Sequence, residues 1–360
     1  MSNLFGKHYK LMIFGQSHSP HIGGVIEGLP VGFTPDWAQV HAFLARRAPG
    51  NGIHSGGRSE RDLPEILSGL NERGETCGAP LAFRIANRDC RSSDYDSLRD
   101  IPRPGHSDYP AHLRFAGHND IRGGGQFSGR LTAPLCFAGA LALQLLENKG
   151  IQIRSHILQI EHVTDRTANE SKPDPNSIST DDYPVFDASA GIAMRQAVQR
   201  AREKGDSVGG IIECIAEHVP AGLGDPMFDG VENRLAQALW AIPGVRGLEF
   251  GSGFDAASMQ GSTHNDAFRI QNGRVVTETN RHGGILSGFT TGMPILFRVA
   301  FKPTPSIAIE QRSVSLSRME NVSLTISGRH DPCIVPRAVP CVEAATAIVL
   351  YDLLSDLSLP

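Results

Sequence analysis

Apolar positions recur along the chain in two rhythms, and the change between them marks out the elements. Helical spacing appears in five stretches. Thr34 is a candidate N-cap and Pro35 suits the first helical position. Trp37, Val40, Phe43 and Leu44 then follow at helical spacing until Pro49-Gly50 ends the run. Residues 128–149 are apolar nearly all round, from Leu131 through Phe137 and Leu141 to Leu146, and stop at Gly150. That pattern predicts a buried central helix with Pro134 in its first turns. Residues 190–204 predict an amphipathic helix with basic faces. Residues 230–241 repeat Val231, Leu235 and Leu239, and a last helix covers about 338–355. Strands are expected at 9–14, 22–28, 64–68, 79–87, 208–217, 247–250, 267–271, 274–279, 293–301 and 322–326. Asn272-Gly273 is a hairpin turn signal. Residues 165–186, rich in Pro, Asp, Ser and Asn, read as a surface loop.

The pattern repeats once. Gly78-Ala-Pro-Leu-Ala-Phe-Arg-Ile-Ala86 matches Gly292-Met-Pro-Ile-Leu-Phe-Arg-Val-Ala300, and Leu29-Pro30-Val31-Gly32 matches Val219-Pro220-Ala221-Gly222. Between the members of each pair lies one helix ending in Pro-Gly, at Pro49-Gly50 and at Pro243-Gly244. Two copies do not make a solenoid. The expectation is an α+β fold: a single large domain, residues 1–360, with an internal pseudo-repeat at about 22–87 and 211–301. Its two similar halves pack into one core.

Composition narrows the class. The chain has 360 residues, room for one large domain or about two of average size. It is 40% hydrophobic and 20% charged, which excludes a disordered or coiled-coil build. Thirty-four Lys and Arg face 38 Asp and Glu. Without a basic excess, nucleic acid and anionic membranes are not expected partners. The six cysteines show no C-x-x-C spacing, so no zinc or redox motif is expected, and most sit in apolar runs as small hydrophobes. Met1 to Lys10 is short and polar, so neither a signal peptide nor a membrane span is expected, and the cytoplasm is the default compartment.

Five segments combine glycine or proline with chemistry-bearing side chains. They are Gly15-Gln-Ser-His-Ser19, Arg103-Pro-Gly-His-Ser-Asp-Tyr109, Arg122-Gly-Gly-Gly-Gln-Phe-Ser-Gly-Arg130, Lys302-Pro-Thr-Pro-Ser-Ile307 and Gly328-Arg-His-Asp-Pro-Cys-Ile-Val-Pro-Arg337. Glycine lets backbone approach a ligand, and exposed turn N–H groups form anion nests. Arginine recognises phosphate and carboxylate in a planar, bidentate way. Arg122-Gly-Gly-Gly before a helix suits a phosphate cradle, since helix N-termini attract anions. A flexible surface turn would read the same. His18 and His106 are candidates for proton transfer. Most of the 14 histidines are expected to be ordinary surface or core imidazoles. His18 with His21, and His330 beside Asp331, are the best metal candidates, but no ligand spacing supports a metal.

Together these segments resemble the chorismate synthases over nearly the whole chain. The clearest matches are Arg103-Pro-Gly-His-Ser-Asp-Tyr109, Asn280-Arg-His-Gly-Gly-Ile-Leu286, and Gly328-Arg-His-Asp-Pro-Cys333 with Arg337-Ala-Val-Pro340. Arg46-Arg47-Ala-Pro-Gly50 and Phe301-Lys-Pro-Thr-Pro-Ser306 also fit. The resemblance implies a β-α-β sandwich and an anti-1,4-elimination of phosphate from 5-enolpyruvylshikimate 3-phosphate, a step of aromatic amino-acid biosynthesis. It implies reduced FMN without net redox change, NADPH as a possible reductant, and a homotetramer. By position, it assigns Arg47, Arg103, Arg130 and Arg337 to substrate. It assigns Lys302, Pro303, Thr304, Pro305, Ser306 and Arg329 to FMN, with backbone contacts at Gln126, Phe127, Ser128, Pro243, Gly244 and Gly283. It makes His18 the proton donor to flavin, His106 the donor to departing phosphate, and Asp331 the group near flavin that aids hydrogen removal.

Three segments depart from the family pattern. Gly15-Gln-Ser-His-Ser19 stands where Gly-Glu-Ser-His-Gly is usual, Gln126-Phe-Ser-Gly-Arg130 replaces Arg-Ser-Ser-Ala-Arg, and Ile53 replaces an arginine. Arg58 and His54 are candidates to take over the missing arginine's contact. Two other readings stay open: a flavin-binding relative without activity, and a metal-dependent phosphohydrolase using the His/Asp clusters.

Overall fold

Period-two burial sets the sheets. In β5 (Leu81–Ala86) Leu81, Phe83 and Ile85 are buried and alternate with half-buried neighbours, as a strand with one core face requires. The computed structural model describes residues 3–48, 62–88, 97–168, 174–179, 182–326 and 330–356. In it β5 joins β1 (Leu4–Phe5), β2 (Lys10–Phe14), β3 (His21–Glu27) and β4 (Pro64–Ile66) in an antiparallel sheet of order β1-β2-β3-β5-β4. A second antiparallel sheet has the order β7-β6-β8-β14-β9. It consists of β6 (Gln152–Ile160), β7 (Val163–Thr164), β8 (Gly210–Glu217), β9 (Val245–Phe250) and β14 (Ile295–Phe301). Three small hairpins complete the strands: β10–β11 (Phe268–Gln271, Arg274–Thr277), β12–β13 (Ile285–Leu286, Phe289–Thr290) and β15–β16 (Gln311–Ser315, Glu320–Leu324).

Two long apolar helices fill the space between the sheets. α1 (Trp37–Arg47) and α2 (Asp108–Arg114) precede α3 (Thr132–Glu147); α4 (Ala188–Glu203), α5 (Val231–Trp240) and α6 (Val335–Asp356) follow. α3 packs on β2 and β3, α6 packs on β6 and β8, and the two helices pack on each other. Phe137, Leu141 and Leu146 of α3 are fully buried, each stabilising the core by about 2 kcal/mol. A Cβ on Gly139 would fall 2.3 Å from the Ala344 Cβ, so glycine is what lets the two backbones touch. Residues 129–147 and α6 are long and apolar enough to cross a membrane, yet most of each is buried in the protein as a core helix. One core cluster runs from Leu11 of the first sheet through both helices to Phe297 of the second. The expected α+β sandwich of two similar halves is what the chain forms.

The differences from the sequence reading have physical causes. α1 is capped by Asp36, whose Oδ1 accepts from the Gln39 N–H at 3.1 Å, and not by Thr34. The helix continuing from 128 opens as a 3-10 turn at Gly129–Leu131 before α3. β6 was not expected at all, because Ser155 and His156 interrupt its apolar pattern. Both are buried, and His156 is satisfied there by two acids. α2 and β15 also escaped the pattern, being seven and five residues long with mixed polarity. The Pro49-Gly50 turn lies outside the described residues.

Candidate functional site

Three consecutive glycines shape the centre of the site. Gly123, Gly124 and Gly125 all have positive φ, at 60°, 85° and 55°. A Cβ on Gly123 would stand 2.7 Å from the His18 ring, and one on Gly124 would stand 3.2 Å from His106 Nε2. The two expected histidines therefore flank one turn. With adjacent Cα atoms 3.8 Å apart, their rings lie within about 13 Å of each other. The Ser17 N–H donates to the Gly125 carbonyl at 3.0 Å, which pins the first motif to the third.

In front of this turn opens a cavity of about 830 Å³. The start of α3 reaches it through Arg130 and Thr132, and the start of α6 through Ile334, Arg337 and Ala338. Two helix N-termini thus point their positive ends into one space. Six cations line it: Arg47, Arg103, Arg130, Arg246, Lys302 and Arg337. Asp331 is the only lining carboxylate among the described residues. The size suits one or two small-molecule ligands, and the charge suits anions.

Each cation is held by chemistry behind it. Asp62 sits fully buried between Arg47 and Arg130. Arg47 Nε donates to Asp62 Oδ2 at 2.7 Å, and Arg130 Nη1 donates to Asp62 Oδ1. Arg130 Nε also donates to Asn87 Oδ1 at 2.8 Å. Burial pushes the Asp62 carboxyl up, but the two guanidiniums outweigh it and hold it below the usual carboxylate range. Arg337 Nε donates to the Arg47 carbonyl at 3.0 Å, and its Nη1 pairs with Asp331. Burial and the facing Arg47 both work against the Arg337 charge, in part offset by Asp331. Burial and Arg246 likewise push the Lys302 ammonium below its usual value, so an added anion would relieve the crowding.

His106 belongs to a second network. Arg103 grips Asp108 with two bonds, Nε to Oδ2 at 2.7 Å and Nη2 to Oδ1 at 2.8 Å. His106 Nδ1 lies 2.6 Å from the same Oδ1. The carboxylate assigns the proton to Nδ1 and leaves Nε2 on the side of the glycine turn and the cavity. Burial raises the Asp108 carboxyl, yet Arg103 and His106 hold it far below the ordinary range. Arg103 Nη1 also donates to Ser306 at 3.2 Å, and Lys302 Nζ donates to the Gly105 carbonyl. The 103–109 and 302–306 segments are thereby tied together. Thr304 lines the cavity with a buried hydroxyl that has no hydrogen-bond partner among the described residues. A phosphate oxygen would satisfy it.

Most residues expected from the sequence come together here: Arg47, Arg103, His106, Gln126, Phe127, Ser128, Arg130, Pro243, Gly244, Lys302, Pro303, Thr304, Pro305, Ser306, Asp331 and Arg337. Two do not line the cavity. His18 stands behind Gly123, near enough to Asp120 to help keep that carboxyl low. Gly283 spends its backbone inside the fold, donating to the Asn280 carbonyl and accepting from Leu296. Arg329, Ile53, His54 and Arg58 lie outside the described residues. Asp62, Asn87, Asp108 and Arg246 were given no role by the sequence reading. Only Asp108, inside a histidine-bearing glycine turn, carried a local signal.

Fold and site together define a protein of two antiparallel sheets with a cation-lined cavity of a size for small molecules. Comparison with known proteins narrows this further. The chorismate synthase family pattern matches residues 9–355. The chain is 45% identical over 352 residues to the chorismate synthase of Korarchaeum cryptofilum, covering 97% of this chain and 96% of that protein. It is 47% identical to that of Thermococcus kodakarensis, with 96% of each chain covered. A solved crystal structure of chorismate synthase superposes with a TM-score of 0.77 at 26% identity, covering 98% of this chain and 93% of the other. The chain belongs to the chorismate synthase family.

Proposed function

We propose that this chain is a carbon–oxygen lyase that removes phosphate from 5-enolpyruvylshikimate 3-phosphate by 1,4-elimination, giving chorismate, with reduced FMN bound beside the substrate. The observation that carries this reading is the cavity in which two helix N-termini, six cations and the His106 imidazole converge. The substrate brings one phosphate and two carboxylates, and Arg47, Arg130 and Arg337 are the groups that hold them. Lys302, Thr304 and Ser306 would hold the flavin phosphate side, with Arg329 and the backbone at Gln126–Ser128 and Pro243–Gly244. The unsatisfied Thr304 hydroxyl fits such a ligand. Reduced flavin, when bound, lends electron density that helps expel phosphate, without net redox change.

The protein's own part is orientation and proton supply. With both ring nitrogens protonated, His106 would keep Nδ1–H on Asp108 and present Nε2–H as the proton donor to departing phosphate. Asp108 and Arg103 are positioning residues for that ring. Asp331, which pairs with Arg337, would assist loss of the ring hydrogen, and His18, beside the glycine turn though not on the cavity wall, would protonate the reduced flavin. We also propose a homotetramer in the cytoplasm, with NADPH as the reductant. Light scattering and NADPH-driven flavin reduction test those two points.

The deciding experiment is an anaerobic assay with chemically reduced FMN, following phosphate release and chorismate absorbance. His106→Ala should lower turnover by about 10²–10⁴ while flavin affinity stays near the wild-type value. A wild-type rate would remove His106 from the chemistry. Flavin binding without phosphate release would favour the inactive relative. Chelator-sensitive, flavin-independent release would favour the hydrolase.

A further inference from the structure

Two cysteines meet beneath the cavity. Cys136 lies on α3 and Cys341 on α6, each three residues before the glycine–alanine crossing where the two backbones touch. Their sulfurs are 3.7 Å apart, with the Cys136 thiol directed at Cys341. Both side chains are buried, but Cys341 lines the cavity while Cys136 sits behind it. The Cys341 thiol donates in turn to the Arg337 carbonyl at 3.4 Å, one turn earlier on α6. We propose that Cys136 and Cys341 form a reversible disulfide, a modification site at the floor of the cavity that takes a peroxide as its oxidant.

The surroundings divide the roles. Cys341 is in the second turn of α6 and lines the cavity, where a small oxidant can reach it, while Cys136 does not. The hydrogen bond from Cys136 and the charge of Arg47 hold the Cys341 thiol below the usual cysteine value against the effect of burial. Burial holds Cys136 well above it. Cys341, the one that lines the cavity, is the attacking sulfur and Cys136, behind it, the resolving one. The Cys341 thiolate attacks one peroxide oxygen and the O–O bond breaks. Hydroxide leaves and takes up a proton, and Cys341 carries a sulfenic acid. The Cys136 sulfur gives up its proton, attacks the sulfenic sulfur and expels water. Two electrons pass from the thiols to one peroxide, which becomes two waters.

Bond formation has a consequence for the site. The sulfurs must close from 3.7 Å to about 2.05 Å, and the bond to the Arg337 carbonyl is lost. Arg337 loses that contact at its backbone, and its side chain, which reaches the Arg47 carbonyl, would shift with it. A shift approaching 1 Å in an anion clamp can lower turnover by about tenfold or more. This second part rests on the proposed lyase reading; the disulfide itself does not.

The test treats the whole protein with hydrogen peroxide, alkylates it in denaturant and maps the peptides. A peptide joining Cys136 to Cys341 that disappears with dithiothreitol is expected, while Cys77, exposed on the surface, stays alkylated as the reference. Cys136→Ser should give no such peptide and should keep the untreated rate. Wild-type phosphate release should fall about tenfold on oxidation and recover with dithiothreitol, and the variant should lack that recovery. Absence of the joined peptide overturns the proposal, and a joined peptide with an unchanged rate overturns its effect on the cavity. If reduced protein makes no chorismate, the lyase reading fails while the peptide map still decides the disulfide.

Discussion

Each half of the molecule buries a three-member charged cluster, and the two have opposite sign. In the first half Asp62 lies between Arg47 and Arg130. In the second, His156 lies between Asp165 at 3.2 Å and Glu213 at 3.0 Å. All six side chains are almost completely shielded from solvent. The second cluster spends its capacity on the fold. Asp165 accepts from the Phe186 and Asp187 N–H groups, and Glu213 accepts from Ala168, so together they fasten the polar 165–187 segment to the sheet. The first cluster keeps a positive surplus, and both of its arginines line the cavity. A buried ion pair is weak evidence for stability in itself. What separates the two is where the surplus charge faces.

Substitution should pull these roles apart. Arg130→Met keeps the apolar stem and leaves Asp62 paired with Arg47. The kcat/KM for phosphate release should fall about 100-fold or more, since charged hydrogen bonds to the substrate are lost, while urea unfolding loses about 1–3 kcal/mol for the Asp62 oxygen left unpaired, its charge still matched by Arg47. His156→Leu should do the reverse. It leaves two buried carboxylates facing each other and should cost about 3–5 kcal/mol in urea unfolding, with KM of the surviving enzyme unchanged. If the His156 variant raises KM as much as the Arg130 variant does, the division between site and scaffold is mistaken.

Acid and base should also act on the two clusters in opposite directions. Asp62 is depressed in the folded state, so its contribution is complete above the ordinary carboxylate value near about 4 and is lost as pH falls through the depressed one. His156 goes the other way. Burial works against its charge, but hydrogen bonds and attraction from Asp165 and Glu213 prevail and raise its pKa. Its contribution is complete below the ordinary imidazole value near about 6.5 and is lost as pH rises through the raised one. The stability gap between wild type and Asp62→Asn should therefore narrow from pH 5 towards pH 2. The gap between wild type and His156→Gln should narrow from pH 6 upwards. Urea titrations over both ranges measure this, and gaps that stay flat would show that neither charge matters to folding.

The comparison also explains what could be read from residues alone. Arg47, Arg130 and Arg337 stood in glycine- or proline-bearing segments, where charge beside flexible backbone points to a ligand, and all three line the cavity. Asp62 gave no such sign, because its partners lie 15 and 68 positions away in the chain. β6 was hidden by His156, since a polar residue in a buried strand looks like a loop until its partners on β8 and in the 165–187 segment are in place. Asp108 lay in view within Arg103-Pro-Gly-His-Ser-Asp-Tyr109, but its hold on Arg103 and His106 depends on the fold of that bend. Alternation and apolar helical spacing, by contrast, carried most of the sheets and both central helices.

Beneath the differing clusters lies one shared device. Thr76 donates to the Pro30 carbonyl at 2.5 Å and accepts from the Phe33 N–H at 2.9 Å. Thr290 donates to the Pro220 carbonyl at 2.6 Å and accepts from the Leu223 N–H at 2.9 Å. Gly32 and Gly222 donate to the carbonyls of the same threonines, each at 2.8 Å. The strands behind them pair in the same register, Ile22 with Ile85 and Ile212 with Val299. We propose that the single domain is built from one duplicated unit, residues 22–87 and 211–301, with this clamp as its common part. Thr76→Val and Thr290→Val should then each cost about 1–2 kcal/mol in urea unfolding, because each leaves an N–H and a carbonyl that are at least half-buried unpaired. The double variant should lose the sum of the two, as separate sites do. A large loss at one position with none at the other would mean that the clamps serve different purposes, and the likeness of the halves would stop at their outline.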